Sequence, residues 1–386
     1  MKSLFGLCFL IVVYCYCGYP VIVAGLSRMR PRAIRRGEIQ PTISVVISVY
    51  NEQDVIKRKL QNLLNIDYPK EKMEILIGSD GSMDQTNSII QDFSDLRIHL
   101  LVNSYRRGKA ATLNDLVSRA RGEIIVFTDA RQIFAPDAIK ELIKNFADPV
   151  VGCVSGELLF MSKEIGGTGK GINLYWEYEK GMRSCESRLH SMLGATGAIY
   201  AIRKNLYTIL PDDIVLDDMF TPLKIIEKGY RAIFDTAAKA YDHVADTPQE
   251  EHRRKSRTLF GNYQIFRLFW RMFLPWKSPI AIQLFSHKFL RVVVPFFLIM
   301  LFILNLMLLR ESFYATIFFI QLCFYGLALM GALLRNHKCG MLGVFSKVSY
   351  APYVFCLLNF SALIGFFRFV NSRQKVTWEK ARDIRA

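Results

Sequence analysis

The chain carries two kinds of hydrophobic pattern, one made for lipid and one for a buried sheet. Residues 3–27 contain no charged side chain, a run long enough to cross a bilayer core of about 30 Å. Arg28, Arg30, Arg32, Arg35 and Arg36 follow it. The run exceeds the apolar core of a cleaved leader and the basic cluster resists export, so it predicts a signal anchor with its amino terminus outside. Three more uncharged runs, residues 292–309, 312–334 and 348–367, predict further spanning helices, the first two joined by little more than Arg310 and Glu311. Four full crossings from an outside start leave the carboxyl tail outside. That tail holds Arg368, Arg373, Lys375, Lys380, Arg382 and Arg385, which prefer the cytoplasm. Either the last segment re-enters or the orientation rule is broken here.

Between residues 255 and 290 the pattern changes. Phe260, Tyr263, Phe266, Trp270 and Trp276 are interleaved with Arg267, Arg271 and Lys277, and Pro275 and Pro279 break the stretch. This mixture predicts amphipathic helices lying in a membrane interface.

Residues 42–250 have no spanning run. Ile43–Val49 is apolar on both faces, as in a buried parallel strand, and ends in Tyr50-Asn51-Glu52. Glu74–Gly78 ends in Ser79-Asp80-Gly81-Ser82, Ile98–Val102 precedes a helix that follows Lys109, and Glu123–Phe127 ends in Thr128-Asp129-Ala130-Arg131. Strand, polar loop and helix in repetition predict an α/β fold with a parallel, doubly wound sheet. Ligands of such sheets sit at the carboxyl ends of strands, where Asn51, Glu52, Asp80 and Asp129 all fall. The chain therefore divides into a transmembrane helix (1–27), a cytoplasmic catalytic domain (40–250), interface helices (251–290), carboxyl-terminal transmembrane helices (291–370) and a basic tail (371–386).

Composition narrows the partners. The 386 residues are 51% hydrophobic with a net charge of +16, which excludes a disordered or fibrous chain. A basic excess on so apolar a chain points to anionic membrane lipids or phosphate-bearing ligands rather than nucleic acid. Of the eight cysteines, Cys8, Cys15, Cys17, Cys323 and Cys356 lie in apolar runs and no CxxC pair occurs, so reduced thiols are expected rather than a disulfide scaffold or a zinc site.

The strand-end residues suggest a chemistry. No GxGxxG follows the first strand, which disfavours a dinucleotide-binding dehydrogenase. The segment 166–171 (GGTGKG) lacks the first Gly and the terminal Ser or Thr of a phosphate loop, and reads as a flexible loop. Asp80 is placed either to accept hydrogen bonds from a base or ribose, or to cap a helix. Lys109 opens a helix and can approach a phosphate beside backbone N–H groups. Asp129 suits a hard cation bridging a diphosphate, or a cap. The small residues Gly194–Ala198 would admit a flat sugar ring, or form a bulged buried strand. Asp217 and Asp218 are adjacent acids, which raises the pKa of one toward that of a base; a helix cap is the alternative.

Taken in order, Ser48–Glu52, Asp80-Gly81-Ser82, Arg107-Gly108-Lys109, Asp129-Ala130-Arg131, Gly194–Ala198 and Asp217-Asp218 resemble the family 2 inverting glycosyltransferases of the GT-A fold. The likeness covers about residues 40–275 and extends to the flanking spans, as in membrane polysaccharide synthases of the hyaluronan, chitin and cellulose type. The resemblance implies that Tyr50, Glu52 and Asp80 hold the nucleotide of a UDP-sugar and that Lys109 contacts its phosphates. It makes Asp129 the ligand of Mg2+ or Mn2+ and Asp218 the general base, beside Asp217. Two positions depart from the pattern: Arg131 replaces the second acid of DxD, and QxxRW reads Arg254-Lys255-Ser256-Arg257-Thr258, in which Arg257 is retained for the diphosphate. Gly197, Tyr175, Trp176 and Glu179 are candidates for an acceptor platform, the two aromatics alternatively packing on the interface helices. The implied activity is sugar transfer to a growing glycan in exopolysaccharide synthesis, at the cytoplasmic face of the inner membrane. Transfer to a lipid-linked acceptor and a catalytically inactive receptor are the alternatives.

Overall fold

The computed structural model describes residues 1–161, 167–243, 248–334 and 340–371, with side chains for all of these except 167–175, 243, 248–256 and 340–347. Tyr175, Gly166 and Arg254-Lys255-Ser256 therefore lie outside the described side chains.

The region between the first two apolar helices is built on one eight-stranded sheet among the described residues, ordered β3-β2-β1-β4-β7-β6-β8-β5. The strands are β1 Ile43–Val49, β2 Met73–Asp80, β3 Ile98–Asn103, β4 Ile124–Phe127, β5 Ile133–Phe134, β6 Val151–Met161, β7 Tyr200–Arg203 and β8 Arg231–His243. The first four are parallel, with Val46 opposite Leu76 on one side and Phe127 on the other. This is the half that the apolar runs predict. Beyond β4 the sheet is mixed, which corrects the expectation of a wholly parallel sheet. β7 runs antiparallel to β4, with Ile124 opposite Arg203. The chain returns to β4 only after β5, β6 and the long helix Gly167–Leu189, and it enters β7 at Tyr200, opposite Phe127 at the carboxyl end of β4, so β7 runs back along β4 in the opposite direction.

Helices cover both faces. Ile56 and Leu60 on α1 (Ile56–Leu64) and Ile139 and Leu142 on α4 (Ala138–Lys144) pack against Val45 and Ile47; Ile90 on α2 (Thr86–Gln91) joins the same core. On the other face Leu113 and Leu116 of α3 (Lys109–Arg119) and Leu223 of α6 (Asp217–Glu227) join Val46, Ile125 and Ile202. A long helix, α5 (Gly167–Leu189), begins inside the glycine-rich segment expected to be a loop. Its later turns dock on the membrane side, where Met182 packs with Tyr19 and Val23, and tertiary burial overrides the poor helix propensity of the glycines.

Among the described residues four helices are long and apolar enough to cross a membrane: Lys2–Met29, Ala281–Met307, Ser312–Leu334 and Val348–Val370. The second begins eleven residues before the charge-free run, because His287, Lys288 and Arg291 are carried on its first turns. The first and second each contain a π turn, at Tyr14–Gly18 and Leu284–Phe289, and Tyr14 and Ser286 are hydrogen bonded across at 2.8 Å. Lys2 meets Glu311 at 2.9 Å, so the amino terminus and the hairpin between the second and third spans share one end of the bundle. A helix at Pro248–Leu268 links the two regions: Tyr263 packs on Phe366 and Phe369 of the last apolar helix, with ring centroids 5.5 and 5.6 Å apart.

Candidate active site

The loops after β1, β2 and β3 are tied to one another before any ligand is considered. Asn51 has φ 52°, a left-handed conformation that Asn tolerates better than most residues. Its N–H donates to Ser82 Oγ at 3.1 Å and its Oδ1 accepts from the Met83 N–H at 2.9 Å, while the Glu52 N–H donates to Thr86 Oγ1 at 2.7 Å. Gly81 has φ 71°, and a Cβ there would stand 2.9 Å from the Arg106 nitrogen, so only glycine lets the 105–108 loop cross. Asp80 is 3% exposed. Its two oxygens accept the N–H groups of Arg107 at 2.7 Å and Gly108 at 2.8 Å. Its carboxylate thus shapes the loop that presents Arg106 and Lys109. The Arg106 guanidinium lies 3.7 Å from the centroid of the Tyr50 ring, a cation–π contact that closes this end of the cleft.

The centre of the cleft is a knot of charge drawn from distant segments. Lys109, the first residue of α3, places Nζ 3.0 Å from Asp129 Oδ1 and 3.3 Å from Asp217 Oδ2. Burial alone would lower the Lys109 pKa, but Asp129, Asp217 and Asp218 outweigh it and hold the ammonium charged. Asp217 and Asp218 open α6, where acids are favoured by the helix amino terminus. The Asp218 carboxyl is nevertheless pushed up to about 6, chiefly by burial and then by Asp217, against the opposing pull of Lys109 and Arg183. Gly197 faces it: a Cβ on Gly197 would stand 3.1 Å from Asp218 Oδ2. Arg257 is lowered by burial and held up by Asp217, Asp218 and Asp129, which places it within electrostatic reach of the same three acids.

Trp176 and Glu179 lie elsewhere. The Trp176 ring packs on Phe160 near the end of β6, 5.4 Å between centroids. Glu179 is 6% exposed, paired with Arg291 and 3.3 Å from His287 Nε2, so its carboxylate faces the second span and not an open acceptor surface. This corrects its assignment as an acceptor residue; a helix-face position next to a basic membrane helix decides its partners. Burial opposes its ionisation, but Arg291 and His287 hold its pKa well below the usual range.

Arg183 and Lys59 escaped sequence reading, and Arg131 stands there only as a departure from DxD. Arg183, four residues after Glu179 on α5, donates to Thr196 Oγ1 at 2.8 Å in the Gly194–Ala198 turn. Arg131 reaches Asp242 Oδ2 at 2.9 Å, shared with Gln132 Nε2 at 2.8 Å, so its guanidinium is anchored to β8. Lys59 is fully buried beneath the Asp129 loop. Its only sign in the sequence is a position three residues after Ile56, on the apolar face of a helix.

Among the described residues no group of three or more His, Cys, Asp or Glu side chains could cage a metal. Asp129 is the one acid of its loop, since Arg131 stands where a second would. A single carboxylate suits an ion of the Mg2+ class, which binds through one or two carboxylates together with substrate phosphates.

Residues 44–207 match the sequence model of the glycosyl transferase family 2. The probable glycosyltransferase YdaM of Bacillus subtilis (strain 168) is 25% identical over 284 residues, covering 69% of this chain and 67% of its own. The poly-beta-1,6-N-acetyl-D-glucosamine synthase of Staphylococcus aureus (strain MSSA476) is 27% identical over 256 residues, covering 64% of this chain and 60% of the synthase. Among solved structures, the mannosyltransferase PcManGT from Pyrobaculum calidifontis, in complex with GDP-Man and Mn2+, superposes with a TM-score of 0.71 at 21% identity, over 96% of this chain and 100% of that one. The fold is that of the GT-A glycosyltransferases. The chain carries a family 2 glycosyltransferase domain, is an enzyme of that class, and is related to exopolysaccharide synthases.

Proposed function

We propose that the protein is an inverting glycosyltransferase integrated in the inner membrane with its catalytic domain, residues 40–250, in the cytoplasm. It moves a sugar from a UDP-sugar to a growing glycan in cell-surface polysaccharide synthesis. The observation that carries this reading is the convergence of Lys109, Asp129, the adjacent Asp217 and Asp218, and Arg257 from four separate segments. The likeness to a poly-beta-1,6-N-acetyl-D-glucosamine synthase supports a polymeric product. The shared end of Lys2 and Glu311 fits two crossings that bracket the domain, and the basic cluster Arg28–Arg36 that follows the first span favours an outside amino terminus.

The chemistry follows from placement. Tyr50 and Glu52 would border the nucleobase, and Asp80 would fix the loop that brings Lys109 to the diphosphate. Asp218, with a pKa near 6, is ionised at neutral pH yet basic enough to take a proton from an acceptor hydroxyl. The hydroxyl oxygen bonds to the anomeric carbon as the bond from that carbon to the diphosphate oxygen breaks on the opposite face, so the centre inverts. The proton goes to Asp218, and the electron pair leaves with the nucleotide. Lys109 and Arg257 meet the charge that develops on the diphosphate. A Mg2+ or Mn2+ ion held by Asp129 and the donor phosphates would add Lewis-acid stabilisation of the same charge. Gly197 leaves room for the acceptor beside the base.

A second reading, transfer to a lipid-linked acceptor, is favoured by an apolar crevice of about 410 Å³ between the first two spans. It is lined by residues such as Leu10, Tyr14, Phe285 and Phe297 and is wide enough for one hydrocarbon chain. A screen of nucleotide sugars by nucleotide release, using membranes with Mg2+ or Mn2+ and followed by sizing of the product, tests both. Polymer from one donor supports the first reading, and a single sugar on an extractable lipid supports the second. Release from a GDP-sugar alone would remove the UDP assignment.

A further inference from the structure

Lys59 is a lysine with no exposure to solvent, and no carboxylate pairs with it among the described residues. Burying an ammonium or amine without a counter-ion is costly unless hydrogen bonds replace the lost water. Here they do so at one place. Nζ donates to Thr128 Oγ1 and to the Gln132 carbonyl, both at 2.8 Å, and lies 4.2 Å from the centroid of the Phe134 ring. Thr128 and Gln132 are the two feet of the segment between β4 and β5, and Asp129, Ala130 and Arg131 are its crest. Lys59 is thus a staple across the base of the loop that carries Asp129.

The staple reaches further. Thr128 Oγ1, while accepting from Lys59, donates to the Ala198 carbonyl at 2.9 Å, in the turn that sets Gly197 against Asp218. On the same helix Asn62 exchanges two hydrogen bonds with the Phe134 backbone, at 2.8 and 2.9 Å, so α1 grips the whole segment from below. A methionine at 59 would fill the same volume without these bonds and without desolvation cost, so packing alone does not call for lysine here.

We infer that Lys59 is a positioning residue for the transfer reaction: it holds the 128–132 loop so that Asp129 faces the donor diphosphate, and through Thr128 it ties that loop to the acceptor turn. This rests on the reading of Asp129 as a donor-side residue.

The test is a double-mutant cycle between Lys59→Met and Asp129→Asn in the full-length protein. It is read as the dissociation constant of the nucleoside diphosphate of whichever donor the wild type turns over, in Mn2+. If Lys59 acts by aiming Asp129, Lys59→Met weakens binding about tenfold in the wild type, as loss of a buried hydrogen bond would, and less than about twofold in Asp129→Asn. Thr128→Val removes the same acceptor with the shape retained and gives the same pattern, which covers a failure of Lys59→Met to fold. Leu63→Ala, a core truncation on the same helix, lowers stability but leaves the constant unchanged. Equal losses in both backgrounds, or no loss in the wild type, overturn the inference and leave the site intact. An Asp129→Asn variant that binds as the wild type does overturns the donor-side reading and the inference with it.

Discussion

Two clusters of charge lie on either side of α5, and a buried carboxyl behaves in opposite ways in them. In the cleft, the Asp218 carboxyl is pushed up to about 6, because burial and Asp217 outweigh Lys109 and Arg183. At the seam between α5 and the membrane helices, Glu179 is also buried, yet Arg291 and His287 hold its pKa well below normal. Glu186, further along α5, accepts from the Tyr19 hydroxyl at 2.8 Å and meets His287 Nδ1 at 2.8 Å. The seam matches each acid with a donor; in the cleft Asp217 and Asp218 stand side by side, and burial with this neighbour outweighs the cations near Asp218. A crowded acid is poised to take a proton, whereas a matched one is a fastening.

The comparison breaks most sharply at Asp218. Asp218→Asn should lower transfer about 10³-fold, in the range of general-base contributions, with nucleotide affinity kept; transfer at the parental rate would remove Asp218 as the base. Glu179→Leu should do the reverse. Removing the buried carboxylate that Arg291 and His287 share should cost about 3 kcal/mol of stability, read by thermal unfolding in detergent, while turnover per folded molecule stays close to wild type. A turnover loss larger than the folded fraction explains would mean that the seam feeds the cleft.

Acidity separates the clusters next. A base with a pKa near 6 makes transfer rise with pH and level off above it, with a rate at pH 5 about tenfold below the plateau. That limb should vanish in whatever residual activity Asp218→Asn retains. The seam responds at lower pH, because a depressed carboxylate stabilises the fold above its ordinary range and loses that contribution as pH falls through its folded value. The smallest effect is expected at the cleft's end: Arg106→Ala removes the contact over Tyr50 and should raise the donor KM about threefold, the size of an exposed cation–π contact.

The parallel half of the sheet was legible because each strand is a continuous apolar run closed by a polar loop. Asn51, Glu52, Asp80 and Asp129 could be placed at one edge of the sheet on that basis, whereas the role of Asp218 came from the family resemblance. The mixed half was not, since the pairing of β7 with β4 depends on a turn whose direction no local pattern announces. Glu179 was misread for a related reason. Its helix has polar residues on more than one side, and only the docking of Tyr19 and His287 decides which side is covered. Lys59 was overlooked because a lysine at an apolar-face position reads as an interruption, when the face in question lies under a loop that needs a donor.

Tyr263 has a practical consequence. The helix that carries Arg257 over the cleft is clamped by this ring to Phe366 and Phe369 of the last apolar helix, and Phe260 stands 5.8 Å from Phe369. A shortened form ending before residue 340 would bare these rings to water and unmoor Arg257 at once. Such a fragment should self-associate and handle the diphosphate poorly even with every catalytic acid in place. Production of the enzyme for biochemistry is thus better served by detergent or nanodiscs than by trimming.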